Sequence, residues 1–147
     1  MPNPRYLKVS RSYFVEGELR VEWVPTRELL EKLRKAKVTY FKSLDRFCDE
    51  NALSIEDYRG ITEIYLIGSH AEEEKWNNDS SDIDFKLLIP NATPAYLLDY
   101  KRRFLDPVFK KSSEKKDWID LFFAQREDQI FLPRYGLIKY WNEIKLH

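Results

Sequence analysis

ITEIYLIGSHAEEEKWNNDSSDIDF, residues 61–85, decides how the rest of this chain is read. The apolar run Ile64-Tyr65-Leu66-Ile67 reads as a buried strand that stops at Gly68-Ser69. Glycine at a strand end permits a steep turn, and the residues after it are expected to open a helix whose first N–H groups are free to hold phosphate. A polar loop, Asn77 to Ser81, then leads into Asp82-Ile83-Asp84-Phe85 and Lys86-Leu87-Leu88-Ile89, a second strand. Alternate residues of a strand share a face, so Asp82 and Asp84 point the same way, roughly 7 Å apart at their Cα atoms. Neighbouring carboxylates repel, and a divalent cation removes the conflict by taking oxygen ligands from both. The plainer alternative is a solvated strand face, with Ile83, Phe85, Leu87 and Ile89 inside.

A third acid lies downstream in Trp118-Ile119-Asp120-Leu121-Phe122-Phe123. Bulky residues on both sides of Asp120 predict a strand covered on both faces. A lone buried carboxylate costs several kcal/mol unless it is paired or binds a metal. Asp120 therefore has either a metal or a Lys or Arg partner.

An apolar strand, Gly68-Ser69, a spacer at 70–81, Asp82-Ile83-Asp84-Phe85 and a later strand carrying Asp120 together resemble the nucleotidyltransferase superfamily that includes DNA polymerase beta. The likeness is greatest to its minimal members and covers residues 61–123. It implies an α+β (α/β-like) nucleotidyltransferase fold, a mixed β-sheet flanked by helices, with the N-terminal segment as an extra hairpin. It implies that Asp82, Asp84 and Asp120 are catalytic and hold two Mg2+. Gly68 and Ser69 would receive the β- and γ-phosphates of an NTP, with ATP the expected one. A nucleoside monophosphate would pass to a hydroxyl, with release of pyrophosphate, and Asp120 would take the hydroxyl proton. In antitoxin-type members the acceptor is a tyrosine of a small helical partner protein, and the resemblance extends that expectation here. Two other readings stay open. His70 and Glu72-Glu73-Glu74 stand where relatives carry Arg and Gly, which suits a binding or partner-interaction module that kept the fold without turnover. The acids could also be coincidental in an unrelated α+β domain.

Composition narrows the classes. With 147 residues, 43% of them apolar and 15% aromatic, the chain is long enough for one domain with a real core. The organisation expected is an N-terminal extension at 1–25, a core at 26–123 and a tail at 124–147. Basic and acidic residues balance at 25 each, so no global field draws the chain to nucleic acid or anionic membrane. The one cysteine, Cys48, has no internal disulfide partner and falls at a buried helical position. With only His70 and His147, zinc of the usual spacing is excluded. Neither a signal-peptide core near the N-terminus nor a run of about 18 apolar residues is present, so the expectation is cytoplasmic with no membrane contact. The Asn78 and Asn91 glycosylation patterns are read as chance. Self-association is left open.

In chain order, a hairpin is expected from Ser12–Val15 and Leu19–Val24 around Glu16-Gly17, either covering a sheet edge or offering a partner surface. One amphipathic helix is expected from the Thr26 N-cap to about Glu50, with Lys35, Lys37 and Lys42 on its solvated side. A short helix follows at Ser54–Arg59, stopped by Gly60. Thr93-Pro94 opens another helix, which should end at Asp106-Pro107. Seven basic residues between 101 and 116 (Lys101, Arg102, Arg103, Lys110, Lys111, Lys115, Lys116) read as a solvated end or as a contact for nucleic acid or an acidic partner. Gly136 to Trp141 reads as either a strand or a short helix.

Overall fold

The computed structural model describes residues 5–76 and 80–146. Its first element is a hairpin of β1 (Leu7–Val15) and β2 (Glu18–Pro25), paired antiparallel from Leu7↔Pro25 to Val15↔Glu18. The two loop residues, Glu16 (φ 53°) and Gly17 (φ 81°), are both left-handed, the loop form whose twist matches that of paired strands. The hairpin is longer than expected and, among the described residues, joins no other strand. It forms a separate two-stranded sheet. Its base is anchored: Tyr6 and Leu7 are buried, and the Thr26 amide donates to the Tyr6 carbonyl at 3.0 Å. Its tip is not, with Phe14 73% and Leu19 59% exposed.

Thr26 caps α1 (Arg27–Lys42) through its hydroxyl, which accepts from the Leu29 amide. The single helix expected to reach Glu50 is instead two, because the chain breaks at Ser43 (φ −116°, ψ 6°) before α2 (Leu44–Asn51). The cause lies across the core. The Tyr100 hydroxyl donates to the Tyr40 carbonyl, the acceptor that a continuous helix would give to the Leu44 amide, and it also meets the Ser43 hydroxyl at 3.1 Å. The apolar periodicity survives the break because Leu29, Leu33, Tyr40, Leu44 and Phe47 remain buried on one side.

α3 (Ile55–Arg59) delivers the chain to β3 (Glu63–Ile67). After β4 (Ile83–Leu88) come α4 (Pro94–Tyr100), one π-helical turn at Lys101–Leu105, and α5 (Asp106–Phe109). The helix does not stop at Asp106-Pro107. In the wider turn the Asp106 amide reaches back to the Lys101 carbonyl, and the chain passes through Pro107, which has no N–H to satisfy. β5 (Ile119–Ala124), the two-residue β6 (Tyr135–Gly136) and α6 (Ile138–Glu143) complete the fold. The tail segment at 136–141 thus ends a strand and then forms a helix. Lys37, expected in solvent, donates to the Trp141 and Ile144 carbonyls at 2.7 and 3.0 Å and so caps α6.

The second sheet is mixed, in the order β5-β4-β3-β6, with β4 parallel to β5 and β3 antiparallel to β4 and β6. This is an α+β architecture. Ile64, Leu66, Ile83, Phe85, Leu87, Ile119 and Leu121 face the helices in one continuous core, with Leu33, Tyr40, Phe47, Leu97, Tyr100 and Trp141 opposite. The other face is much more open than the sequence suggested. Tyr65, Ala124 and Ile130 form a small cluster there, while Phe122 on the same face is 36% exposed. No helix among the described residues is long and apolar enough to cross a membrane.

Candidate metal centre

The alternation that sends Ile83 and Phe85 into the core turns Asp84 onto the open face. In the parallel register, Asp84 lies directly beside Asp120, which is buried on the neighbouring strand. Asp82, two residues before Asp84, brings in the third carboxylate. One oxygen from each of the three lies within 4.8 Å of the others. The donors are all carboxylate oxygens, the set that suits hard ions such as Mg2+.

Gly68 follows directly from the same geometry. Ile67 pairs with Asp84 across β3 and β4, so the next residue passes over that carboxylate. A Cβ at Gly68 would sit 2.5 Å from Asp84 Oδ2, and its φ of +73° is one that glycine tolerates. Ser69 follows in a short 3-10 turn, Gly68–Ala71, whose Ser69 carbonyl accepts from the Glu72 amide. The helix start expected after Gly68 is thus a single 3-10 turn and goes no further as α-helix. His70 and Ala71 are buried, the Tyr6 ring lies edge-on to His70 at 4.7 Å, and Trp76 packs against Trp23 at 4.6 Å. The Arg5 amide also reaches the Trp76 carbonyl at 3.3 Å. The 68–76 segment is pinned to the hairpin base, and the Gly68-Ser69 amides have no long helix dipole behind them.

Electrostatics follow from crowding. Burial, then the Asp82 and Asp120 charges, push the Asp84 carboxyl up to about 7, with Lys115 and Lys110 opposing the shift. Asp120 is held by two ammonium groups. Lys101 Nζ donates to its Oδ1 and also lies 3.0 Å from Asp106 Oδ1. Lys110 Nζ lies 3.0 Å from Asp120 Oδ2 and 3.9 Å from Asp106. Burial alone would lower the Lys110 ammonium, yet its bond to Asp120 and the charges of Asp120, Asp106 and Asp82 raise it. The ion pair expected as an alternative for Asp120 is present, and it coexists with the carboxylate cluster.

These lysines were read from the sequence only as part of a basic stretch. The π turn carries Lys101 into the protein, where it is 9% exposed, and places it against the strand. The available signal was Asp120 itself, a buried acid needing a partner. Within the stretch Arg103 pairs with Asp99 and Glu50, and Lys116 with Glu114, so much of the apparent basic patch is neutralised locally. Glu72 pairs with Lys75 at 2.9 Å. Asn77, Asn78 and Asp79 of the loop, with the glycosylation pattern there, and His147 lie outside the described residues.

No family model, curated protein or solved structure matches this chain.

Proposed function

We propose that the chain is a Mg2+-dependent nucleotidyltransferase with a polymerase beta-like nucleotidyltransferase fold, moving a nucleoside monophosphate from an NTP, with ATP favoured, to a hydroxyl acceptor. The observation that carries this reading is the convergence of Asp82, Asp84 and Asp120 beside a glycine that only a missing side chain lets approach Asp84. Three crowded carboxylates, one of them driven to hold a proton near neutrality, are unfavourable alone and suit a divalent cation. Bound there, two Mg2+ would screen the triphosphate and lower the pKa of the attacking hydroxyl.

In this reading Asp82 and Asp84 hold the triphosphate end, and Gly68 and Ser69 offer backbone N–H groups and a hydroxyl to the β- and γ-phosphates. Asp120 orients the acceptor hydroxyl and takes its proton as the new P–O bond forms and the bond to pyrophosphate breaks. The sheet's open face leaves room for substrates. An acceptor tyrosine on a helical partner protein belongs to the same proposal and rests on the resemblance alone.

A second reading is favoured by a specific observation. Both oxygens of Asp120 already have lysine partners, as they would in a module that binds without turnover. One experiment separates the two: Mg2+-dependent pyrophosphate release from each NTP, with soluble extract as acceptor source, comparing the native chain with Asp82→Asn/Asp84→Asn. Release that depends on both aspartates supports the transferase. Equal signals refute it.

A further inference from the structure

The cluster of carboxylates already has a cation at its mouth, and it belongs to the protein. Lys110 Nζ is bonded to Asp120 Oδ2 and lies in the field of all three acids, since Asp120 and Asp82 act on Lys110 and Lys110 acts on Asp84. Lys101 holds the other oxygen, Oδ1. Each oxygen of Asp120 thus carries one ammonium, and a divalent ion that takes Oδ2 meets the Lys110 ammonium there as a competitor.

The two lysines are not equivalent. Lys101 is fixed between Asp106 and Asp120, its side chain only 11% exposed, on a π turn packed into the core. Lys110 is the residue at the C-terminal end of α5, its side chain 25% exposed, with the Trp118 ring 5.8 Å away and Asp106 only at 3.9 Å. A flexible four-carbon stem at a helix end can swing by several ångströms at little cost, and an ammonium displaced from a carboxylate seeks another anion close by.

We propose that Lys110 is a displaceable cation: it occupies Asp120 Oδ2 until a divalent ion takes that oxygen, and then moves its ammonium onto the triphosphate of the incoming nucleotide. This rests on the nucleotidyltransferase reading above. Lys110 is a binding residue for the polyphosphate, while Lys101 stays on Asp120 and positions it. Because the ammonium competes with metal but attracts phosphate, its removal has opposite effects on the two ligands.

The test uses the full chain and its Lys110→Met, Lys110→Arg and Asp84→Asn variants, with circular dichroism to verify folding. Lys110→Gln replaces Lys110→Met should the latter not fold. Without nucleotide, Mn2+ binding followed by calorimetry should tighten on the order of tenfold in Lys110→Met, as expected for removing one unit charge from the oxygen concerned. With Mg2+ saturating, a non-hydrolysable ATP analogue should bind on the order of tenfold more weakly to Lys110→Met, with Lys110→Arg restoring most of the loss. Unchanged or weaker Mn2+ binding in Lys110→Met, or unchanged analogue binding, overturns the inference. If the native chain binds Mn2+ and Asp84→Asn abolishes it, such a result leaves the transferase reading standing. If the native chain binds no Mn2+ at all, both fall.

Discussion

Replacing Asp84 by asparagine should make the metal-free protein more stable at pH 8 while removing its response to Mg2+. Asp84 is half-buried between Asp82 and Asp120, and its carboxyl titrates at about 7 instead of 3.8. A shift of that size has a ceiling of about 4 kcal/mol at 1.36 kcal/mol per unit. Solvent reaches part of the group, so a discounted figure of about 1–2 kcal/mol is the working expectation. The sign follows from linkage: between the unfolded and folded pKa values the native state holds a proton that the unfolded chain has lost. Native stability from this group is therefore whole below about pH 4 and is lost as pH rises through about 7.

Asparagine carries no such titration. In EDTA, urea denaturation should show the variant ahead by about 1–2 kcal/mol at pH 8, and ahead by less at pH 5. For a chain of this length that corresponds to about 3–6 °C in Tm. Adding Mg2+ should stabilise the native protein at pH 8, more weakly at pH 5 where the proton competes, and leave the variant unmoved. A variant less stable than the native chain at pH 8 in EDTA, or one with the same pH dependence, would refute the account of Asp84 as a crowded, strained carboxylate.

Gly68→Ala meets two obstacles, a left-handed backbone and a Cβ placed 2.5 Å from Asp84 Oδ2. It should cost about 1–3 kcal/mol in denaturant titration and weaken Mn2+ binding by displacing that carboxylate. Lys101→Met removes the more buried of the two ammonium partners of Asp120 and Asp106 and leaves Lys110 in place, so thermal unfolding should report a loss of about 1–3 kcal/mol. Tyr100→Phe removes the hydroxyl that takes the Tyr40 carbonyl at the α1–α2 break, for an expected loss of about 1–3 kcal/mol read from urea midpoints. Phe14→Ser with Leu19→Ser at the exposed hairpin tip should change the monomer's stability by no more than about 0.5 kcal/mol each.

The sequence disclosed the elements whose signals are local. Ile64–Ile67, Asp82–Ile89 and the apolar spacing of residues 29–48 carried their own periodicity, and each is found as strand or helix. What stayed illegible depends on partners distant in the chain. The break at Ser43 comes from Tyr100, 57 residues away. That the helix after Gly68 is only a 3-10 turn goes with Tyr6 and Trp23, which pack against His70 and Trp76. For the same reason, Lys101 and Lys110 looked like a solvated charge run until the π turn and β5 brought them onto Asp120. Alternation could say that Asp82 and Asp84 share a face. It could not say that β5 would align with β4 so as to put Asp120 beside Asp84, because register belongs to the sheet and not to either strand.

That register ties the site to the core. Sliding β4 by one residue would turn Phe85 out onto the open face and bury Asp84 against Leu33 and Tyr40's layer, exchanging a buried aromatic for a buried charge. The same slip would separate Asp84 from Asp120 and from the turn at Gly68. A one-residue slip of β4 therefore cannot relieve the acids without uncovering its apolar face. The strain among them is therefore maintained by the burial of Ile83, Phe85 and Leu87 next to them. Relief comes from a proton on Asp84 below about pH 7, from Lys101 and Lys110 of the chain itself, or from a divalent ion from outside.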